Sequence, residues 1–253
     1  MLFPKEHGAY GQLLIPLLSA LAVGAPAPGA YLLAAAGVAA FLAHEGALVQ
    51  LGQRGGRATR ELGVEARRSV ALFGGFCVVT GLVALTQLPT DALVWLVVPL
   101  LLGACVGVAV WRHLERTTGG EILVAIALSS LAVPVALGGD VTAVAAHTLF
   151  SVFVVVFVTA TLAVRALIGR VTKAGGPPLI LAGIVAGGAP LLLALLAMRG
   201  QLASIAPYAA SPMCAVALVL TIARPSPKHL RTIGWTLVGA TVLTAVVLIV
   251  GLR

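Results

Sequence analysis

The chain has 253 residues, 60% of them hydrophobic and 9% charged, with a formal net charge of +8. A mean hydropathy of +1.10 excludes a water-soluble protein, because a chain of this length cannot hide so much apolar surface from water. Residues 1–253 are read as a single integral membrane domain, with no stretch polar enough for a separate soluble one.

Taking apolar runs of about 17–25 residues as spanning, the chain divides into nine predicted helices at 9–25, 29–50, 69–87, 91–111, 121–138, 141–166, 177–198, 203–223 and 230–251. The expected fold class is an all-α polytopic membrane bundle. The opening run, MLFPKEHGAYGQLL, has the outline of a leader. Glu6 is out of place in a positively charged leader, however, and many equally apolar runs follow, so it is read as a retained first helix. Short breaks at VGAPAPGA, TQLPTD and LGGDVT predict tight turns between antiparallel neighbours. Asp91 and Asp140 open predicted helices, where a carboxylate caps free N–H groups and meets the positive dipole end, and Glu121 has the same explanation at the fifth helix. Pro99, Pro134, Pro190 and Pro212 fall inside predicted spans and are expected to kink them. Cys77, Cys105 and Cys214 are far apart and each lies in an apolar run, which reads as packing. His147 and His229 are isolated, and His147 is read as a hydrogen-bonded packing residue.

The gaps test this partition independently, since Lys and Arg accumulate in cytoplasmic loops. Alternate gaps hold fourteen of the basic residues, from Lys5 through Arg54, Arg57, Arg60, Arg67 and Arg68 to Arg231, against Arg199 and Arg253 in the others. The expectation is a multi-pass protein of the cell inner membrane with its N-terminus in the cytoplasm and its C-terminus outside. The net positive charge is then an orientation signal and not a nucleic-acid footprint. Membrane lipids are the expected partners, and the basic loops can touch anionic headgroups.

Within the second run, AFLAHEGALVQLG puts His44 and Glu45 side by side among apolar residues. Ionisable groups inside a membrane segment are costly and usually face a bundle interior or a wet cavity. Glu45 also lies near a helix C-terminus, where negative charge is unfavourable. The first helix enters from the same side through FPKEHGAYGQ, so Glu6 and His7 are expected at the depth of His44 and Glu45. Two histidines and two glutamates suit a divalent cation, or a pair that moves a proton. Glu6, His7, His44 and Glu45 are therefore the candidate metal ligands, with Glu45 and His44 the candidate catalytic pair and Tyr10 and Gln12 lining the same pocket. The alternative is structural: an arginine of the second loop pairs with Glu45 and His44 bonds a backbone carbonyl.

Residues 110–143, VWRHLERTTGGEILVAIALSSLAVPVALGGDVTA, resemble a stretch of the UbiA-type intramembrane prenyltransferases. The matching positions are Trp111, Leu114, Glu115, Arg116 and Thr117, then Pro134, Gly138 and Gly139. That resemblance implies a UbiA-like fold. In that family an Asn-Asp-x-x-Asp-x-x-x-Asp motif ends helix two and holds Mg²⁺ against a prenyl diphosphate. Here His44-Glu45 replaces Asn-Asp, and the later aspartates become Leu48 and Gly52. After helix six, a second acidic motif gives way to Arg165, Arg170 and Lys173. The two-motif metal-bridged site is not encoded, and what is left is a basic rim able to bind anions directly. The opening FPKEHGAYG and the run HE…LGxRGxRxxRE are similar to the YwiC-like family of bacterial membrane proteins.

The leading reading is a UbiA-like, prenyltransferase-like membrane protein with a cytoplasm-facing polar cavity. It would bind or act on an isoprenoid or lipidic substrate with an anionic head, held by Arg57, Arg60, Arg116, Arg165 and Arg170. The rival is a non-catalytic lipid or small-molecule carrier or membrane assembly factor, favoured by the missing aspartates. A proton-coupled transporter is a third reading, weakened by the lack of an inverted repeat.

Overall fold

The structure, a computed structural model, describes residues 2–3, 7–172 and 179–253 and, among these, every side chain except those of His7, Arg170, Val171, Thr172 and Pro227. Lys5, Glu6 and Lys173 lie outside the described residues, as do the side chains of His7 and Arg170.

The described chain forms α1 (His7–Val23), α2 (Pro28–Gln50), α3 (Gly56–Leu85), α4 (Thr90–Trp111), α5 (Thr118–Leu137), α6 (Ala143–Thr172), α7 (Leu179–Met198), α8 (Ala206–Ala223) and α9 (Leu230–Leu252). All but α1 are long and apolar enough to cross a membrane, and α1 is a shorter apolar helix beside them. The architecture is the expected polytopic bundle. Its largest departure from expectation is α3, which begins at Gly56 and not near residue 69. The charged run GRATRELGVEARRS is helical, with Arg57 and Glu61 paired one turn apart at 2.8 Å. A single π-helical turn at Val70–Gly74 joins this polar half to the apolar half.

Helix ends follow local chemistry. Pro28 starts α2, where its missing N–H is no loss. The end of α2 is a left-handed turn at Gly52, φ 74°. There the Gln53 N–H reaches Leu48 O at 2.9 Å and the Gly52 N–H reaches Val49 O at 3.1 Å. The end of α4 repeats this motif with a non-glycine, His113 at φ 57°. Thr117 caps α5 by accepting from the Gly120 N–H at 3.1 Å. Caps expected from the acids are supplied otherwise: Glu121 sits in the first turn of α5 behind Thr117, and Asp140 turns left-handed while Thr142 caps α6. Asp91 does lie in the first turn of α4. Pro99, Pro190 and Pro212 sit inside α4, α7 and α8. Pro134 follows a break in α5 at Leu131.

In lipid there is no hydrophobic drive between apolar helices, so close packing and polar contacts must hold them. The alanines of α8, at 206, 209, 210 and 217, are fully buried and let α7, α6 and α9 approach closely. Helix α6 is the spine, packed by α5, α7 and α8, and α1 closes the bundle against α5, α6 and α9. Phe153, Leu149, Met213 and Leu13 fill the centre. The turns at one end knit together: Ala25 N–H donates to Gly139 O at 2.9 Å, and Arg253 Nε donates to Ala22 O at 2.8 Å. The opposite end, where α2, α4 and α6 finish and α3 and α5 begin, carries most of the arginines and is called the basic end below.

Two expectations about single residues change. Cys105 is exposed on α4 instead of packed inside. His147 packs edge-on against Trp95 with ring centroids 4.5 Å apart, but its Nε2 is buried without a hydrogen-bond partner.

Candidate functional site

A cavity of about 1240 Å³ lies among α1 to α5 and reaches α6 at Thr161 and Arg165. Its walls divide by chemistry. Toward the basic end they carry Gln12, His44, Glu45, Arg54, Glu115, Arg116, Glu121 and Arg165, and the remainder is lined largely by leucine, valine, alanine and glycine.

The first polar contact follows from the end of α2. The Gly52 turn reverses the chain, and Arg54 folds back over the last turns of the helix. Its Nε donates to Glu45 Oε1 at 2.9 Å and its Nη2 to Oε2 at 2.6 Å. Thr59 at the start of α3 donates to Val49 O at 3.0 Å and pins the returning chain. Glu45 is 6% exposed, so both carboxylate oxygens are held by one planar fork inside the protein. The arginine partner for Glu45 anticipated as the structural alternative is Arg54.

The second contact ties three segments at the other side of the cavity mouth. Arg165 on α6 donates from Nε to Glu121 Oε2 at 2.7 Å, and its Nη2 bonds both Glu121 Oε1 and, at 2.6 Å, the Arg116 carbonyl. The guanidinium thereby fastens the 112–117 loop and the first turn of α5 to α6. Arg116 itself projects outward: its side chain is 66% exposed and Glu115 lies 3.9 Å from its Nε. In the cavity wall three glutamates, Glu45, Glu115 and Glu121, stand against three arginines, Arg54, Arg116 and Arg165, and of these arginines Arg116 is the most exposed.

Of the residues singled out from sequence, His44, Glu45, Gln12, Arg116 and Arg165 line this one cavity. Tyr10 sits nearby with its ring edge-on to Phe41, centroids 5.0 Å apart. Arg57 and Arg60 are exposed on the polar half of α3, outside the cavity wall, with Arg57 paired to Glu61. The side chain of Arg170, that of His7, and all of Glu6 are outside the described residues. Of the four candidate metal ligands only His44 and Glu45 can be placed, Glu45 is occupied by Arg54, and among the described residues no group of three or more His, Cys, Asp or Glu is arranged to hold a metal. The sequence reading did not single out Arg54 among the arginines of the second loop, and it gave Glu115 and Glu121 no place in the cavity. The signal for Arg54 was its position two residues past the glycine that ends α2; Glu121 had none, since its partner is 44 positions away.

No curated protein and no solved structure matches the chain. A family model described as YwiC-like protein matches residues 3–137, just over half of the 253 residues. That stretch runs from α1 through α5 and holds every ionisable cavity group named above except Arg165. The chain belongs to the YwiC-like family.

Proposed function

We propose that this membrane protein binds an isoprenoid or other lipidic molecule with an anionic head, its tail in the apolar body of the cavity and its head at the basic end. The observation that carries this reading is the division of one cavity into a largely apolar part and a charged part at the basic end. At about 1240 Å³ it exceeds the roughly 300–1,000 Å³ of pockets for drug-sized ligands. Arg116 is the group suited to grip the head, because Arg54 and Arg165 are already spent on carboxylates. Binding of a polyprenyl phosphate in nanodiscs is expected to weaken about tenfold in Arg116→Ala, the loss of one charge-assisted contact worth about 1.5 kcal/mol. Unchanged affinity would remove Arg116 from the site.

A second reading adds chemistry on the head, with Glu45 and His44 moving a proton. The bidentate hold of Arg54 on Glu45 favours binding without transformation, since Glu45 can act as a base only after Arg54 lets go. The same proposal takes the bundle as UbiA-like. Its support is that the end of α2 and the 112–117 loop, where the resemblance to UbiA-type enzymes falls, line one cavity.

We further propose that the basic end faces the cytoplasm, in the inner membrane, with the C-terminus outside. The fourteen-to-two distribution of Lys and Arg supports it. Alkaline phosphatase fused after Arg253 is expected to be active, and fused in the 51–55 loop inactive. The opposite pattern would invert the topology.

A further inference from the structure

Helices α3 and α4 are consecutive and joined only by the turn at 86–89, yet they scarcely touch. The first packs along α2 and the second along α5. Between them the cavity wall is made of side chains that a packed helix pair would bury: Val78 is 58% exposed, Leu82 60% and Leu100 65%. Gly103 on α4 lines the cavity without a side chain to narrow the gap, and Gly81 on α3 lines it where α3 approaches Ala36 of α2. A side chain added at Gly103 would meet nothing within 4 Å. At the far end the gap is shut by the turn itself, where Leu88 is buried against Ala30 and Gly138. Toward the basic end the gap leads to Arg116 and the two ion pairs.

We infer that the space between α3 and α4 is a lateral slot through which the hydrocarbon chain of an anionic amphiphile enters the cavity from the bilayer, head toward the basic end. This rests on the lipid-binding reading above and adds the route. The occupant follows from the walls. Those from α3 and α4 carry no charge, so a polar solute gains nothing there, whereas the bilayer presents hydrocarbon at this level of the two spanning helices. The closed far end excludes passage of the head in that direction. The amphiphile therefore comes from the leaflet on the side of the basic end, and its head stays near Arg116 while the tail slides sideways past Leu82 and Leu100.

The test uses the whole protein in nanodiscs with two probes carrying a diazirine at the chain end, a phosphatidylglycerol and a polyprenyl phosphate. Irradiation followed by peptide mass spectrometry is expected to place adducts from at least one probe on Leu33, which is 5% exposed, and on Leu131, both inside the cavity. Which probe reaches them distinguishes a phospholipid from an isoprenoid source. Gly103→Trp is expected to reduce these inner adducts about tenfold while adducts on the outward Val97 and Leu101 persist. Gly107→Trp, on the same helix but off the cavity wall, is expected to leave them intact. Inner adducts undiminished in Gly103→Trp, or lost equally in Gly107→Trp, would overturn the slot and leave the lipid-binding reading standing. No inner adducts from either probe in the unsubstituted protein would overturn both.

Discussion

Glu45→Ala is expected to lower the stability of the folded protein by about 3 kcal/mol, the low end of the range for breaking a buried ion pair by removing one partner. The cost arises because the Arg54 guanidinium loses both of its hydrogen bonds to the carboxylate, and its side chain is 19% exposed against 8% for Glu45. Partial access to water at the arginine end holds the effect below the largest values. Arg54→Ala is expected to cost a comparable amount, leaving a carboxylate near the C-terminus of α2, where the helix dipole opposes it. The double substitution is expected to cost less than the sum, because the interaction between the two side chains is lost only once. Thermal unfolding of the four proteins in detergent measures the coupling. Strict additivity would mean that the two side chains do not interact, and the polar end of the cavity would need to be redrawn.

Gly120→Ala and Gly119→Ala are expected to part sharply, although the glycines are neighbours. A Cβ at Gly120 would drive into the Leu114 carbonyl oxygen and stand 2.8 Å from the Glu115 carbonyl carbon. These are backbone atoms and cannot rotate away. The clash forces the 112–117 loop off the start of α5, breaks the Thr117 cap and moves Arg116, at a cost of about 1–3 kcal/mol or more for overpacking. A Cβ at Gly119 meets only the Thr117 hydroxyl at 4.0 Å, so Gly119→Ala is expected to be near neutral. Melting temperature and polyprenyl phosphate affinity should both fall in the first variant and stay in the second. Equal behaviour would show that the loop is not held as described.

The span positions were legible because membrane thickness sets the length of an apolar run, and the nine expected segments correspond to α1 through α9. Hydropathy reports where hydrocarbon ends, however, and not where the helix does. That is why the polar start of α3, with its Arg57–Glu61 pair, lay beyond reach. His44 and Glu45 stood out for a physical reason, since ionisable groups are rare within a span. Glu121 was misread as a cap because an acid in a first turn has a sufficient local explanation, while its arginine partner comes from α6 and enters only through tertiary packing. The separation of α3 from α4 has no local signature either. The membrane-spanning parts of both helices are apolar, and the neighbours they pack along, α2 and α5, enter only through tertiary packing.

The central claim is that one cavity reads a hydrocarbon tail and an anionic head together. Its most direct test is a titration of the purified protein in nanodiscs with a polyprenyl phosphate, the corresponding polyprenol and inorganic phosphate. The tightest binding is expected for the phosphate-bearing lipid, with about tenfold weaker binding for the alcohol and no measurable binding of the ion alone. Equal affinity for lipid phosphate and alcohol, or binding of phosphate without a tail, would contradict it.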